Sequence, residues 1–330
     1  MEELPMLNYV VRRILYAIPV LIGVNLITFS LFFIVNTPDD IARAHLGAKH
    51  ITADVIESWK QQHGYDQPLL YNVQQSGLAT ITHTLFFQKS IRLFLFDFGF
   101  SDGGRDISED ILQRMWPSLL IAIPILIIGL LVNITFALLM VFFRGTYLDT
   151  GGVILCVILM SISGLFYVIG GQYFIGKLLR LVPISGYQPG FDAVKFVLLP
   201  VIIGVVSGIG ASARWYRTIF FEELGKDYVR TARAKGLSQL ATLFKHVLKN
   251  GLIPILTGVV VIIPSLFMGS LILESFFGIP GLGSYTIDAI QQQDFAIVRA
   301  MVFLGSVLYI VGLIMTDISY TLVDPRIRLN

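Results

Sequence analysis

Six long apolar runs constrain this chain before any other feature does. They lie at about 9–36, 116–143, 150–180, 194–219, 251–277 and 295–322, and each suffices to cross a bilayer, which takes roughly 20 residues of helix. Inside hydrocarbon every backbone N–H and C=O must be paired within the protein, so a continuous apolar run of this length is a helix. A β-barrel would show short segments of alternating polarity, and these runs do not alternate. The chain is 55% hydrophobic and 14% charged, against about 25% charged in an average soluble domain. The expected fold is an all-α membrane protein with six transmembrane helices. Pro19, Pro124, Pro200 and Pro264 fall in or near the runs, where packing re-satisfies the freed carbonyls.

The runs divide the sequence into an N-terminal segment with the first span (1–36), a polar region (37–115), a core of five spans (116–322) carrying a charged loop at 220–250, and a tail (323–330). Arg12 and Arg13 precede the first run, but that run is too long for a signal peptide and lacks a small-residue cleavage site, so it reads as an uncleaved span. Lysine and arginine in short loops set orientation. Arg12, Arg13, Arg144, the stretch Arg214 to Lys249, Arg326 and Arg328 all fall on one side of six spans. That side is the cytoplasm, which places both termini and the charged loop inside and 37–115 outside. Within 37–115, ITADVIESWKQQHGYDQPL reads as an amphipathic helix ended by Gly64 and Pro68.

Residues 226–254 are the one long charged stretch between two spans, and they read as helix, glycine, helix. Leu224, Tyr228 and Ala232 share a face, with Lys226, Arg230 and Arg233 elsewhere. Gly236 is suited to the left-handed conformation that ends a helix, and Ser238 to capping the next one. In that second helix Leu240, Leu243, Phe244, Val247 and Leu248 follow the amphipathic spacing, with Lys245, His246 and Lys249 turned away. Such a hairpin fits either a docking surface for a cytoplasmic partner or an interfacial helix on anionic lipid.

Other residues carry weaker signals. Gly204, Gly208 and Ser212 share one face of the fourth span and permit close helix approach, within the chain or at a subunit interface. Glu274, near the outer end of the fifth span, suits a translocation path or a loop cap, and an intramembrane carboxylate is costly enough to ask which. Asp149 reads as an ordinary loop charge, and Asp317 and Asp324 as structural. GQYFIGKL (171–178) matches G-x4-G-K, yet Leu178 replaces the metal-binding hydroxyl and the setting is an apolar span, which argues against nucleotide binding. Gly278, Gly281 and Gly283 read as a turn. His45, His50, His63, His83 and His246 show no metal-binding spacing and read mostly as solvated loop residues; Cys156 is the single cysteine. No spacing nominates a hydrolase triad. A net charge of +2 is too small to suggest nucleic acid as a partner.

RTARAKGLS (230–238) with KHVLKNGLIPILT after it resembles the permease subunits of ABC importers, in the dipeptide and oligopeptide branch. GYDQPL (64–69), FDFGFS (96–101), VPISGY (182–187), LESFFGIPGLG (273–283), QQDFAIV (292–298) and DISYTLVDPRIR (317–328) extend the resemblance over nearly the whole chain. Ala232 and Gly236 fall on the alanine and glycine of the wider family's EAA-x-x-x-G signature. Arg230 stands where that signature has glutamate, Thr231 where it has its first alanine, and the later proline is displaced to Pro254.

The resemblance implies a type I importer permease fold in a bacterial inner membrane, moving peptides or peptide-like solutes. It implies a second homologous permease, two ABC ATPase subunits that bind ATP and Mg, and an extracytoplasmic solute-binding protein, with no cofactor on this chain. It assigns Arg230, Thr231, Ala232, Arg233, Ala234, Lys235, Gly236 and Leu237 to the element that docks on the ATPase. The competing expectations are a self-sufficient channel or secondary carrier, whose internal repeats and midplane charges are not visible here, and an intramembrane enzyme.

Overall fold

In the computed structural model, residues 3–47 and 52–323 are described; His50, Asp324, Arg326, Arg328 and the rest of the tail lie outside them. The described residues form fifteen α-helices: α1 (Glu3–Phe29), α2 (Pro38–Leu46), α3 (Ala53–His63), α4 (Ala79–Thr82), α5 (Leu85–Lys89), α6 (Ile107–Phe142), α7 (Tyr147–Ser161), α8 (Gly164–Gly171), α9 (Ala193–Leu224), α10 (Asp227–Ala234), α11 (Gln239–Thr242), α12 (Lys249–Val260), α13 (Leu271–Phe277), α14 (Leu282–Gln292) and α15 (Phe295–Val323). Among the described residues there is no β-strand.

Among the described residues five continuous helical segments are long and apolar enough to span a membrane: Val11–Val35, Ile107–Phe142, Gly190–Leu224, Gln239–Val260 and Phe295–Ser319. Two further candidates are bent pairs, Tyr147–Ser161 with Gly164–Leu178 at 89°, and Pro264–Phe277 with Leu282–Gln292 at 69°. The expected third span is therefore angular. Ile162 (φ −89°, ψ 125°) and Ser163 (φ −62°, ψ 143°) are both extended, which ends one helix before the other starts. The expected run 251–277 is likewise divided. It breaks between Val260 and Leu271, where Gly269 has φ +69°, and its N-terminal half continues back through Gln239. Apolar composition marks membrane depth, but it does not distinguish a straight rod from a bent one.

The described residues form two compact units. The first comprises 3–114 and 285–314. Here Thr37 and Asp40 make a reciprocal capping box at the start of α2, and Gly64 (φ +65°) ends α3. Trp59 stacks on His63 and Tyr65, with ring centroids 4.1 and 5.5 Å away. Asn25, buried in the first span, donates to Ser90 O at 3.1 Å. FDFGFS and QQDFAIV, far apart in sequence, meet: the N–H of Asp102, just after the first motif, donates to Asp294 Oδ2 at 2.8 Å.

The second unit comprises 115–284 and 315–323. Its clusters pack Ile121, Val168, Leu199, Ile203 and Phe277 in one place, and Ala137, Val141, Phe220, Val229, Val247 and Ile255 in another. Gly210 lets α9 pass against α7: an added Cβ would sit 2.6 Å from Cys156 O. Asp149 is not a loop charge. It is buried and forms a two-point ion pair with Arg217 (Nε to Oδ1 2.8 Å, Nη2 to Oδ2 2.9 Å), joining α7 to α9.

Candidate functional site

The hairpin folds as its sequence suggests up to the glycine. In α10, Lys226 is the N-cap. The turn closes through Gly236 N–H to Arg233 O (2.9 Å) and Leu237 N–H to Ala232 O (3.2 Å), with Gly236 at φ +81°. Ser238 caps α11 by accepting the Ala241 N–H at 3.3 Å. Arg230, Thr231, Arg233, Ala234, Lys235 and Gly236 are exposed, Leu237 is half-buried and Ala232 is buried. An exposed ion pair joins Arg230 to Asp227 at 3.5 Å.

What holds this tip is a base of apolar side chains. Val229 is 1% exposed and Val247 0%, and with Leu243 they pack among Leu138, Val141, Tyr216 and Phe220. The Gln239 side chain donates to Phe142 O at 3.0 Å, fastening the second arm to the end of α6. Tyr228 donates its hydroxyl to the Glu223 carboxylate. Burial, followed by that carboxylate, pushes the phenol up to about 12.

The second arm departs from the expected face. Leu240 and Phe244 are exposed, while Thr242, Leu243 and Val247 are buried. The cause is a π-helical stretch, Leu243–Leu248, between α11 and α12; its wider turn rotates the apolar stripe away from the regular helical spacing. Leu240 and Phe244 instead line an apolar groove with Leu139 and Phe143. His246 is half-buried, its ring 6.4 Å from that of Tyr228. Val229, the principal anchor of α10, was not among the expected face residues.

Glu274 is fully buried in α13, just before the bend of the second broken pair. Its Oε1 accepts the Ser270 N–H and its Oε2 the Ser284 N–H, both at 3.0 Å. Gly283 N–H and the Ser118 hydroxyl add further bonds, and Ser118 Oγ in turn accepts the Leu282 N–H at 2.8 Å. A Cβ at Gly269 or Gly281 would collide with the carboxylate. Gly186 N–H donates to Phe277 O at 2.7 Å, and Gln172 bridges Ile184 O and Phe276 O. VPISGY and LESFFGIPGLG therefore form one clasped structure.

The three small residues of the fourth span part company. At Gly204 a Cβ would collide with Ile125; at Gly208 it would meet nothing within 4 Å; Ser212 is half-buried. Gly204 also lines a cavity of about 380 Å³ with Ser118, Ser207, Ser265 and Ser270. The hydroxyls of Ser207 and Ser265 are turned back onto Gly204 O and Ile262 O, so they offer little directional bonding to a solute.

The G-x4-G-K match is helical: Gln172–Leu178 is a π-helical continuation of α8. Its N–H groups are not arrayed as a phosphate-cradling loop. Among the described residues no cluster of three or more His, Cys, Asp or Glu is placed to hold a metal. The histidines are less solvated than expected: His45 Nε2 bonds Asp102 Oδ2 at 2.7 Å and His63 lies on Trp59, whereas His83 is exposed.

With this geometry in view, the sequence matches the family described as binding-protein-dependent transport system inner membrane component over residues 110–329. The N-terminal region of binding-protein-dependent transport system membrane components matches residues 6–92. The oligopeptide transport system permease protein AppB of Bacillus subtilis (strain 168) is 29% identical over 329 residues, covering 98% of this chain and 100% of the relative. The glutathione transport system permease protein GsiC of Salmonella choleraesuis (strain SC-B67) is 31% identical over 328 residues, covering 98% and 99%.

Proposed function

The chain belongs to the binding-protein-dependent transport system inner membrane component family, and from that premise we propose that it is one permease subunit of an ATP-driven importer of peptides or peptide-like solutes. Relatives named for oligopeptide and glutathione transport support the solute class. The observation that carries the mechanism is the hairpin: exposed Arg230, Arg233 and Lys235 on a tip whose base, at Val229, Leu243 and Val247, is built into the helical core. A force on the tip reaches α6 and α9 through packed side chains rather than through a slack loop.

In this reading residues 220–250 dock on an ABC ATPase subunit. Ala232 and Gly236 give close approach and the turn, and the cations meet an acidic rim. ATP and Mg belong to two such subunits. Nucleotide-driven closure pulls the hairpin, the spans open outward, and solute enters from an extracytoplasmic binding protein; hydrolysis returns the inward-facing state. Both termini and the hairpin are cytoplasmic, 37–115 lies outside, and 116–322 forms the permease core beside a second, homologous permease. The buried Glu274 clasps residues 269–284, and Gly208, where an added Cβ would meet nothing within 4 Å, leaves room for the second permease.

The test is purification from native membranes in mild detergent, with every stoichiometric companion identified by mass spectrometry. A second permease, P-loop ATPases and ATP-dependent uptake on reconstitution are expected. Solute flux by the chain alone, with no companion under several detergents, overturns the proposal in favour of a channel or carrier.

A further inference from the structure

The polar cavity of the first unit is not used by the transport reading. It encloses about 510 Å³ beside the end of α3, the segment 97–104 and the start of α15. Three cations line it, Lys89, Arg92 and Arg299, and of these Arg92 is paired with Asp97 at 3.7 Å. Arg299 is only 4% exposed. Its Nε donates to Phe295 O (3.1 Å) and its Nη1 to Lys89 O (3.0 Å), and the guanidinium lies 4.9 Å from the Phe33 ring centre. Lys89 Nζ donates to His63 O (3.2 Å) and lies 4.9 Å from the Tyr65 ring centre.

Among the described residues neither Lys89 nor Arg299 has a carboxylate within 4.0 Å. The nearby acids are already engaged. Asp102 Oδ2 bonds His45 Nε2, and Asp294 accepts the N–H groups of Asp102 and Ile297 at 2.8 and 3.2 Å. An ammonium has about three donors and a guanidinium about five, and the bonds above use one of Lys89 and two of Arg299. The cavity therefore holds surplus N–H donors and positive charge with its acidic groups already occupied. Buried charge in that condition is costly unless a counter-ion or water completes it.

We propose that this cavity is a binding site for a small oxyanion, a carboxylate or phosphate group held between Lys89 and Arg299. Burial first, then the adjoining guanidinium, lowers Lys89 to about 8 despite the opposing pull of Asp102 and Asp294. Bound there, an oxyanion ties α5 to the first turns of α15 and stabilises the unit by mass action. The site is separate from the hairpin, and its test needs no transport activity.

Full-length protein in lipid nanodiscs is titrated with inorganic phosphate and with acetate at constant ionic strength set by chloride. Either oxyanion is expected to raise the melting temperature saturably and to slow acylation of Lys89 by an amine-reactive ester, read by mass spectrometry, while Lys195 labels at an unchanged rate. Lys89→Gln is expected to weaken the thermal response by about tenfold in apparent Kd, the loss of one charged hydrogen bond, and Lys89→Arg to retain it. Response to one probe alone identifies the group that binds and still supports the site. No saturable response, an equal response to chloride, or unchanged Lys89 labelling overturns it. The labelling arm uses the unaltered protein, so a misfolded variant does not blunt the test.

Discussion

Glu274 and Ser284 are joined across a sharp bend by a 3.0 Å bond from the Ser284 N–H to a carboxylate that is itself fully buried. The same carboxylate takes the Ser270 N–H from the other side of the bend, so one side chain replaces the helical partners that the broken backbone gives up. That is the structural role a buried acid fills most economically, since each unpaired N–H in such a place costs about 1–3 kcal/mol.

Glu274→Ala is expected to destabilise the protein by about 3–5 kcal/mol, since it leaves at least two buried N–H groups unpaired at about 1–3 kcal/mol each. Glu274→Gln, which keeps one acceptor, should cost less. Gly281→Ala should behave like Glu274→Ala because its Cβ overlaps the carboxylate. Thermal unfolding in nanodiscs measures all three. A Glu274→Ala protein as stable as wild type but defective in solute selectivity would move the residue from the clasp to the path.

Gly236 has open space around its missing Cβ, so only its φ of +81° restrains substitution. Gly236→Asn should be tolerated, Gly236→Ala mildly harmful and Gly236→Val worst, at about 1–3 kcal/mol of local strain. The expected phenotype of Gly236→Val is an inserted protein whose ATPase partners hydrolyse ATP without uptake. Equal uptake across the series would remove the turn from the coupling mechanism.

Arg233→Glu with Lys235→Glu reverses charge at exposed sites, where surface substitutions change stability by about 0.5 kcal/mol or less. Expression and melting temperature should hold while ATPase association falls and becomes less salt-sensitive. Pull-down at two salt concentrations reads this directly, and undiminished association would locate the dock elsewhere.

Arg217 and Asp149 form a two-point pair with side chains 24% and 10% exposed. Arg217→Ala should cost about 2–3 kcal/mol, below the 3–5 of a fully buried pair because water still reaches the site. Arg217→Lys should recover only part, since an ammonium does not reproduce the fork. A double-mutant cycle with Asp149→Asn measures the coupling; additive effects would show that the pair contributes nothing.

Tyr228 is raised to about 12 from an ordinary value of 10. The unfolded chain ionises this phenol first, so its contribution is complete below pH 10 and is lost as pH climbs from 10 to about 12. Tyr228→Phe should flatten the alkaline limb of the stability profile in that window. An unchanged limb would mean that other groups govern it.

The helical membrane class, four of the continuous spans, the glycine turn of the hairpin and the serine cap after it are legible in the residues alone. These are local properties: hydropathy over a helix length, a left-handed glycine, a hydroxyl within reach of its own backbone. Tertiary structure decided the rest. The 89° and 69° bends, the π-helical rotation that exposes Phe244, the pairing of Asp149 with Arg217 and the clasp at Glu274 all depend on partners distant in the chain or on packing that overrides regular spacing. The cations at Lys89 and Arg299 show the same division: 210 residues apart, each reads alone as an ordinary basic residue, and only folding brings them to one cavity where burial makes their charge consequential.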